Sequence, residues 1–175
     1  MNHLKLMTMK KITLLSITLL AFSCSTISER EKRINSVEEI SLKAYNAQIA
    51  GDIETFKSLL SEDFTFTLNG ELDISQTYDW EEYMKFAGYF GSLLTGKPGL
   101  EFTGIIAGED AAIIFANGKM EGIGGKYENE YALRYTVNPE GKVSELKEWL
   151  SDILLATQLY GQQIEGVHID PEKRF

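Results

Sequence analysis

Hydrophobic and polar positions alternate near the C-terminal end of the chain, which predicts two β-strands joined by a tight turn. One face of the first strand is mostly aromatic and comprises Tyr127, Asn129, Tyr131, Leu133 and Tyr135. Side chains of a strand point to opposite faces in turn, so these five share one side. Asn138-Pro139-Glu140-Gly141 supplies the turn, because proline and glycine stand where a turn favours them.

The second predicted strand carries an acid on an otherwise apolar face. Ser144, Leu146, Glu148 and Leu150 alternate with a more polar set, and they are the better candidates for the interior face. A carboxylate among apolar side chains loses hydration, so the pKa of Glu148 should rise. A carboxyl group with a raised pKa suits a general acid or base.

Apolar residues at helical spacing predict two helices before the first strand. Ser36 and Glu39 form a capping box, which predicts that the first helix begins at Ser36. Gly51 is expected to end this helix in a left-handed conformation. Asp52 then caps a short second helix, whose apolar residues are Ile53, Phe56, Leu59 and Leu60.

Strand and turn patterns occupy the middle of the chain. Residues 63–68 alternate as a strand, and Asn69-Gly70 after them predicts a hairpin turn. Asp79 and Glu82 form a second capping box, which opens a third helix. Further strands are predicted at 100–107 and 111–120, and the glycines at 122, 124 and 125 predict a bulge or hairpin turn. Residues 153–160 are expected to form one more helix or an apolar tail.

Composition excludes several classes of function. The chain has 175 residues, 43% of them hydrophobic, and a net charge of −9, which suits one globular domain and repels nucleic acid. Between Ser25 and Val167 there is no histidine and no cysteine, so nucleophilic triads and His/Cys zinc sites have no residues to form them. We therefore assign no metal and no cofactor, and acid–base chemistry falls to Asp, Glu, Tyr or Lys.

The first 24 residues resemble a bacterial secretion signal. Two lysines precede an apolar run at 12–22 that is too short for a permanent membrane span. The segment LAFSC, which ends at Cys24, is similar to the signal for lipid attachment to cysteine; the alternative is an ordinary secretion signal with an incidental cysteine. We expect a protein anchored through Cys24 on the outer-membrane or periplasmic side of the cell envelope, with a tether at 25–35. Translation starts at Met1 or Met9.

A glycine-containing segment imitates a nucleotide-binding motif. Residues 91–97 have the spacing of a phosphate-binding loop, but Pro98 follows where a magnesium-binding Ser or Thr is required. The segment also ends a predicted helix, whereas a phosphate-binding loop follows a strand and opens a helix. We therefore predict no nucleotide site here.

Several short segments together resemble the SnoaL-like branch of the nuclear transport factor 2-like (NTF2-like), or ketosteroid isomerase-like, superfamily. They are Ala50-Gly51-Asp52, Ser61-Glu62-Asp63, Asn129-Glu130-Tyr131, Gly141-Lys142-Val143 and Glu148-Trp149. The resemblance covers residues 36–160, with 161–175 as a C-terminal tail. It implies an α+β fold in which a curved antiparallel sheet wraps around N-terminal helices and forms a cone with one open pocket. Relatives include isomerases, cyclases, dehydratases and binding modules, so the fold does not define the function.

The resemblance also indicates where relatives carry catalytic residues. The oxyanion tyrosine of ketosteroid isomerases corresponds to Ala44, their base aspartate falls near Leu68, and their second aspartate falls near Leu133. None of these residues can perform that chemistry. Cyclases similar to SnoaL use an aspartate at the place of Ser151; Asp152 lies one residue further, and a one-residue step along a strand reverses the face.

The implied pocket has a predicted lining. We assign it to nine residues: Tyr45, Phe66, Leu68, Tyr83, Asn129, Tyr131, Leu133, Leu146 and Leu150. Tyr131 is either such a pocket residue or a core tyrosine with a satisfied hydroxyl. Glu148 lies between Leu146 and Leu150 and is either an acid–base residue, paired with a nearby Lys or Tyr, or at the wet mouth of the cone.

Three functions are compatible with these patterns. We favour an envelope lipoprotein that binds a small hydrophobic molecule and is not an enzyme, because leucines stand at the catalytic positions. The alternative is an isomerase, cyclase or dehydratase with Glu148 as acid/base and Tyr131, Asn129 or Tyr45 as hydrogen-bond donors. The third is a structural module that forms a homodimer, or binds another envelope protein, through the outer face of the sheet.

Overall fold

A computed structural model describes residues 29–96 and 99–165, which form an α+β fold, as predicted. The helices of the N-terminal half are α1 (29–50), α2 (Ile53–Leu59) and α3 (Trp80–Leu93). The strands are β1 (Leu60–Asn69), β2 (Thr77–Tyr78), β3 (Leu100–Ala107), β4 (Ala111–Gly118), β5 (Met120–Gly122), β6 (Gly125–Tyr127), β7 (Glu130–Val137) and β8 (Val143–Trp149). A short helix α4 (Asp152–Leu154) continues into a π-helix at Leu155–Leu159.

Six strands form one sheet in the order β2-β1-β8-β7-β4-β3, and β5 and β6 form a separate hairpin. Neighbouring strands are antiparallel except β1 and β8, which run parallel. A parallel pair needs a long connection, and here all the other strands lie in that connection. The last strand in the sequence therefore occupies the middle of the sheet.

Helices α1 and α3 pack against the inner face of the sheet, and aromatic rings fill the space between them. The ring centroid of Tyr83 on α3 lies 4.9 Å from that of Phe66 on β1. The ring of Tyr45 on α1 lies 6.3 Å from that of Phe102 on β3. The face predicted from alternation is confirmed, because all its members are buried: Tyr127, Asn129, Tyr131, Leu133 and Tyr135.

The first helix begins earlier than its predicted capping box. Ser36 lies inside α1, and the predicted tether is already helical from residue 29. Arg33 fixes this part of the helix, since its Nη2 donates to the backbone oxygens of Val137 (2.9 Å) and Asn138 (3.0 Å), and its Nε donates to that of Glu109 (2.9 Å). These contacts join distant parts of the chain, so a local capping pattern does not reveal them.

The other helix ends follow the predicted caps. Gly51 ends α1 with φ at +69°, the left-handed conformation that favours glycine. The side chain of Asp52 accepts a hydrogen bond from the N–H of Thr55 and caps α2. Asp79 and Glu82 form both bonds of the capping box at α3.

The hairpin predicted at Asn69-Gly70 is wrong. β1 ends at Asn69, but its antiparallel partner β2 begins only at Thr77, so a loop at 70–76 joins the two. Gly70 permits a close approach instead, because a Cβ there would lie 2.6 Å from Oδ2 of Asp152. The same oxygen accepts a hydrogen bond from the N–H of Glu71 at 2.7 Å. The glycine lets the C-terminal segment close over this loop.

The strand predicted at 111–120 and the strand predicted to run through Tyr127 and Tyr135 are both interrupted, and the two interruptions lie side by side. β4 ends at Gly118, whose N–H donates to the backbone oxygen of Asn129 in the gap between β6 and β7 at 2.8 Å. Gly118 is needed here, since a Cβ would lie 2.7 Å from Cε2 of Tyr131. Beyond this level the chain continues as the β5–β6 hairpin, and the glycines predicted to form a turn lie in that hairpin.

The segment after β8, residues 152–160, folds over the β5–β6 hairpin, and we refer to it as the closing segment. The backbone oxygen of Gln158 accepts from the N–H of Gly124 at 3.0 Å, and its Oε1 accepts from the N–H of Glu128 at 3.2 Å. A Cβ on Gly122 would lie 2.6 Å from both the Gln158 oxygen and Cα of Leu159. The further helix predicted at 153–160 is therefore present and closely packed.

The predicted signal peptide and Cys24 lie outside the described residues, as do residues 166–175 of the predicted tail. Within 29–96 and 99–165, no helix is both long enough and apolar enough to cross a membrane.

Candidate functional site

Glu148 lies on the inner face at the centre of the sheet. Its direct neighbours in the two ladders are Leu68 on β1 and Leu133 on β7, and directly paired residues project to the same face. Both leucines are 1% exposed, whereas the Glu148 side chain as a whole keeps some accessible surface. Burial alone accounts for its altered titration, with no contribution from a paired cation or a hydrogen bond within the described part of the chain.

Burial raises the pKa of Glu148 from 4.5 to about 7. The carboxylate loses hydration between its apolar neighbours, and this loss disfavours the charged form. The group therefore changes its charge near neutral pH, as its place on an apolar face predicted. A carboxyl group that is present in both forms at neutral pH can either donate or accept a proton.

Four buried tyrosines lie close enough to Glu148 for its charge to act on them. Burial raises the pKa of Tyr83, Tyr127, Tyr131 and Tyr135, and the negative charge of Glu148 raises each of them further. For Tyr127 the pKa is raised to about 12. All four hydroxyl groups therefore stay protonated at neutral pH.

Gln48 on α1 connects two of these tyrosines. Its Nε2 donates to Oη of Tyr83 at 3.1 Å, and its Oε1 accepts from Oη of Tyr135 at 2.7 Å. The oxygen of Tyr83 accepts in this contact, so its own proton is not used by Gln48. Gln48 was not predicted as a site residue, although it follows Ala44 by four residues on the apolar stripe of α1, and that spacing is the available signal.

A second chain of hydrogen bonds starts at Tyr131. Its Oη donates to Oη of Tyr127 at 2.9 Å, and Nδ2 of Asn129 donates to the same oxygen at 3.3 Å. Nδ2 of Asn129 also donates to the backbone oxygen of Ser151 at 3.1 Å, and its Oδ1 accepts from the N–H of Ser151 at 3.0 Å. Asn129 therefore has no amide proton left for a ligand.

The three donors named from the sequence are thus engaged within the protein. Tyr131 and Asn129 donate as described, and Tyr45 makes a long hydrogen bond of 3.5 Å to the backbone oxygen of Leu100. The hydroxyl protons of Tyr83 and Tyr127 have no acceptor in the hydrogen bonds above. Together with Glu148 they form the candidate site. Such a group can transfer a proton and can donate hydrogen bonds to an oxygen of a bound molecule.

The nine residues predicted to line the pocket surround this group. They come from helices α1 and α3 and from strands β1, β7 and β8, or lie directly beside β7 and β8. All nine are on the inner side, and only Leu150, which follows β8, is half-buried rather than buried. Leu146 pairs with Phe66 on one side and Tyr135 on the other. Their role as the lining of a ligand pocket stays a prediction.

Ser151 and Asp152, which follow Glu148-Trp149, form their hydrogen bonds away from the candidate site. Oγ of Ser151 accepts from the N–H of Leu154 at 3.4 Å and caps α4. Asp152 is directed at the loop 70–76, where its Oδ2 binds the N–H of Glu71. No group of three or more His, Cys, Asp or Glu side chains among the described residues could hold a metal ion.

Solved structures from several sources resemble this fold. Bal32a, from a soil-derived mobile gene cassette, is 19% identical with a TM-score of 0.62 over 72% of this chain and 96% of its own. TerC, co-crystallised with polyporic acid, is 16% identical with a TM-score of 0.61 over 70% and 97%. An NTF2-like protein from Anabaena variabilis is 15% identical with a TM-score of 0.57 over 67% and 90%. A scan of protein-family models and a search of curated protein sequences give no match.

These likenesses establish the fold of the chain. Its structural neighbours are NTF2-like proteins, and the fold implied by the sequence resemblance is confirmed. Identities this low carry no information about the reaction or the ligand, because one fold serves many functions.

Proposed function

We propose that the protein binds a small, neutral, hydrophobic molecule inside the cone, beside Glu148. The observation that carries this proposal is the position of Glu148 between the buried Leu68 and Leu133. An apolar wall with a few polar groups is typical of small-molecule sites. The free hydroxyl protons of Tyr83 and Tyr127 supply donors for a carbonyl or hydroxyl oxygen of the ligand.

The charge of Glu148 determines which molecules suit this site. An ionised carboxylate repels anionic ligands, whereas the protonated form accommodates an apolar surface and can donate a hydrogen bond. A ligand that displaces water from the carboxyl group raises its pKa further. We therefore expect affinity to fall as the pH rises through about 7. TerC, which shares the fold, has been co-crystallised with polyporic acid, so this fold accommodates a small organic molecule.

Organic extraction of the purified protein, followed by mass spectrometry, tests this function. Leu68→Trp places a larger side chain beside Glu148, where it would block a ligand, and Thr67→Val changes the adjacent residue of β1, on the other face. We expect a hydrophobic compound in extracts of the wild type and of Thr67→Val, but not of Leu68→Trp. Circular dichroism verifies that both variants fold. An extract of the wild type without such a compound, together with no binding of added hydrophobic molecules, contradicts the proposal.

A second candidate function is proton transfer, and the raised pKa of Glu148 is the observation that favours it. In an isomerase, cyclase or dehydratase, Glu148 would move the proton while Tyr83 and Tyr127 stabilise negative charge on a substrate oxygen. Glu148→Gln should then abolish turnover of enolisable compounds and leave their affinity nearly unchanged. Equal activity of the variant and the wild type excludes this function.

We also propose that the protein is exported and lipid-anchored through Cys24. The support is the apolar run at 12–22 and the lone cysteine directly behind it. Cells grown with a labelled fatty acid should yield a labelled, membrane-associated protein, and Cys24→Ser should remove both the label and the membrane association. A wild-type protein that carries no label contradicts lipidation.

A further inference from the structure

A seam separates the loop 70–76 from the closing segment on the outside of the cone. A groove of about 430 Å³ lies along this seam and extends to helix α3. It is lined by Leu72, Asp73, Ile74, Tyr89, Ala156, Tyr160 and Gln162. None of these residues belongs to the group around Glu148, but Leu72, Ile74 and Tyr160 pack against the buried core that contains the tyrosines of that group.

Buried polar atoms on both sides of the seam lack hydrogen-bond partners. Oγ of Ser75 in the loop and both Oδ1 of Asp152 and Oη of Tyr160 in the closing segment are buried, and none has a hydrogen-bond partner among the described residues. Buried polar atoms without partners destabilise the state that buries them. The closed arrangement of the seam is therefore weaker than the fully bonded ladders of the sheet.

Tyr160 lies between the groove and the interior. On the outside its ring packs against that of Tyr89, with centroids 6.0 Å apart, and Tyr89 is 54% exposed. On the inside Tyr160 packs against the buried core that contains Tyr78 and Tyr127, and burial raises the pKa of its hydroxyl to about 12. Tyr127 belongs to the candidate site, so Tyr160 lies between the groove that it lines and the core that holds this site.

The backbone before Tyr160 is held by packing, and the residue after it is a glycine in the left-handed conformation. Gln158 and Leu159 are packed against the β5–β6 hairpin, and Gly161 follows Tyr160 with φ at +66°. Glycine tolerates rotation that other residues resist. Movement at Tyr160 can therefore occur without displacing the whole closing segment.

We propose that the seam is the passage through which a small hydrophobic molecule reaches Glu148, and that the ring of Tyr160 closes it. This inference rests on the ligand-binding function proposed above. The lining of the groove includes the apolar side chains of Leu72 and Ile74, and the carboxylate of Asp73 in the same lining disfavours anions. The passage opens when the Tyr160 ring leaves the Tyr89 ring and the unpaired hydroxyl reaches water.

Access to the interior can be measured without a ligand. Leu68→Cys in a Cys24→Ser background places one thiol beside Glu148 in the full-length protein, and a small neutral methanethiosulfonate reagent labels it when the interior opens. Tyr160→Ala removes the closing ring and should accelerate labelling by about tenfold or more, since the lost aromatic contact and buried area together exceed one decade in an equilibrium constant. Tyr160→Phe keeps the ring and removes the unpaired hydroxyl, so labelling should be equally slow or slower.

Phe102→Ala is the control, because Phe102 also packs its ring against that of a tyrosine, Tyr45, but lies on β3. We expect no acceleration in this variant. Urea unfolding verifies that differences in global stability do not explain the rates. The proposal is overturned if Tyr160→Ala labels no faster than its parent, or if Phe102→Ala labels faster than Tyr160→Ala. Accelerated labelling in a protein that binds no hydrophobic molecule supports the passage and refutes only the ligand-binding function.

Discussion

Leu133 lies directly opposite Glu148 in the antiparallel ladder of β7 and β8, and Leu68 flanks the acid in the parallel ladder on its other side. The carboxyl group thus has hydrocarbon on both sides along the sheet. Charging it in this position is unfavourable. Part of the dependence of the protein's stability on pH should therefore come from this residue.

Glu148→Gln should remove part of the pH dependence of stability. The pKa of Glu148 is about 7 in the folded protein and 4.5 in the reference state, so folding favours the neutral acid. Its stabilisation is complete below about pH 4.5 and is lost as the pH rises through about 7. We expect the free energy of unfolding to fall by up to about 3 kcal/mol in this window, and the variant to lack that fall. Urea unfolding between these pH values measures it.

Glu145→Gln is the control for this experiment, because Glu145 lies on the same strand and pairs with Thr136 and Arg134 on the outer face. The difference between the two variants isolates the buried acid from other titrating groups. A stability curve of Glu148→Gln that runs parallel to the wild type contradicts a pKa near 7.

Gln48→Leu should destabilise the protein through the tyrosines it connects. The hydroxyl of Tyr135 loses its acceptor in a buried position, which should lower the free energy of unfolding by about 1–3 kcal/mol. Adding Tyr135→Phe should restore part of this loss, because the unpaired donor is then absent. Asn46→Ala on the exposed side of α1 serves as control. Chemical denaturation is applied to the wild type, Gln48→Leu, Tyr135→Phe, the double variant and Asn46→Ala, and additive losses in the double variant contradict the connection through Gln48.

Two glycine-to-alanine substitutions should change the stability of the protein in opposite directions. At Gly122 the new Cβ would lie 2.6 Å from backbone atoms of Gln158 and Leu159, so the closing segment must shift, at a cost of about 1–3 kcal/mol. At Gly88 in α3 the Cβ meets no atom within 4 Å, and alanine should stabilise the helix by about 0.5–1 kcal/mol. Thermal unfolding distinguishes them. A stabilised Gly122→Ala would show that the closing segment is not packed against the hairpin.

We also propose that the outer face of the sheet forms a homodimer. Ile106 and Phe115 are 65% and 38% exposed there, and Ile113 lies opposite Ile106. Phe115→Arg places a charge in this apolar patch and should convert a dimer into a monomer in sedimentation equilibrium. Lys85→Gln, on the exposed surface of α3, should leave the association unchanged. A wild-type protein that is monomeric at micromolar concentration contradicts the dimer.

The elements that sequence patterns predicted correctly depend on contacts between residues close in the chain. The capping box at Asp79 and the turn before Gly141 are complete within four residues, and both are present. The start predicted at Ser36 failed because Arg33 binds carbonyl groups far along the sequence. The turn predicted at Asn69-Gly70 failed because Asp152 occupies the space beside that glycine.

In the candidate site, too, some features could be predicted from local sequence patterns and others could not. Alternation along β7 and β8 placed Glu148 and the tyrosines on the inner face, because the period of a strand is local. The hydrogen-bond partners followed no such pattern. Gln48 comes from a helix and Ser151 from the link between β8 and α4, and each meets its partner only after the sheet has wrapped around the helices. Sequence periodicity thus placed the acid on the inner face, but it did not reveal that Tyr131, Asn129 and Tyr45 donate hydrogen bonds within the protein.

The central position of β8 determines when this chain can fold. Before residue 149 has left the ribosome, the sheet exists only as two unconnected parts, β2-β1 and β7-β4-β3. Pairing β1 with β8 closes a loop that spans most of the domain, so the contact order is high and folding should be slow. An extended nascent chain that cannot complete its sheet during synthesis remains suitable for passage through a secretion channel in an unfolded state.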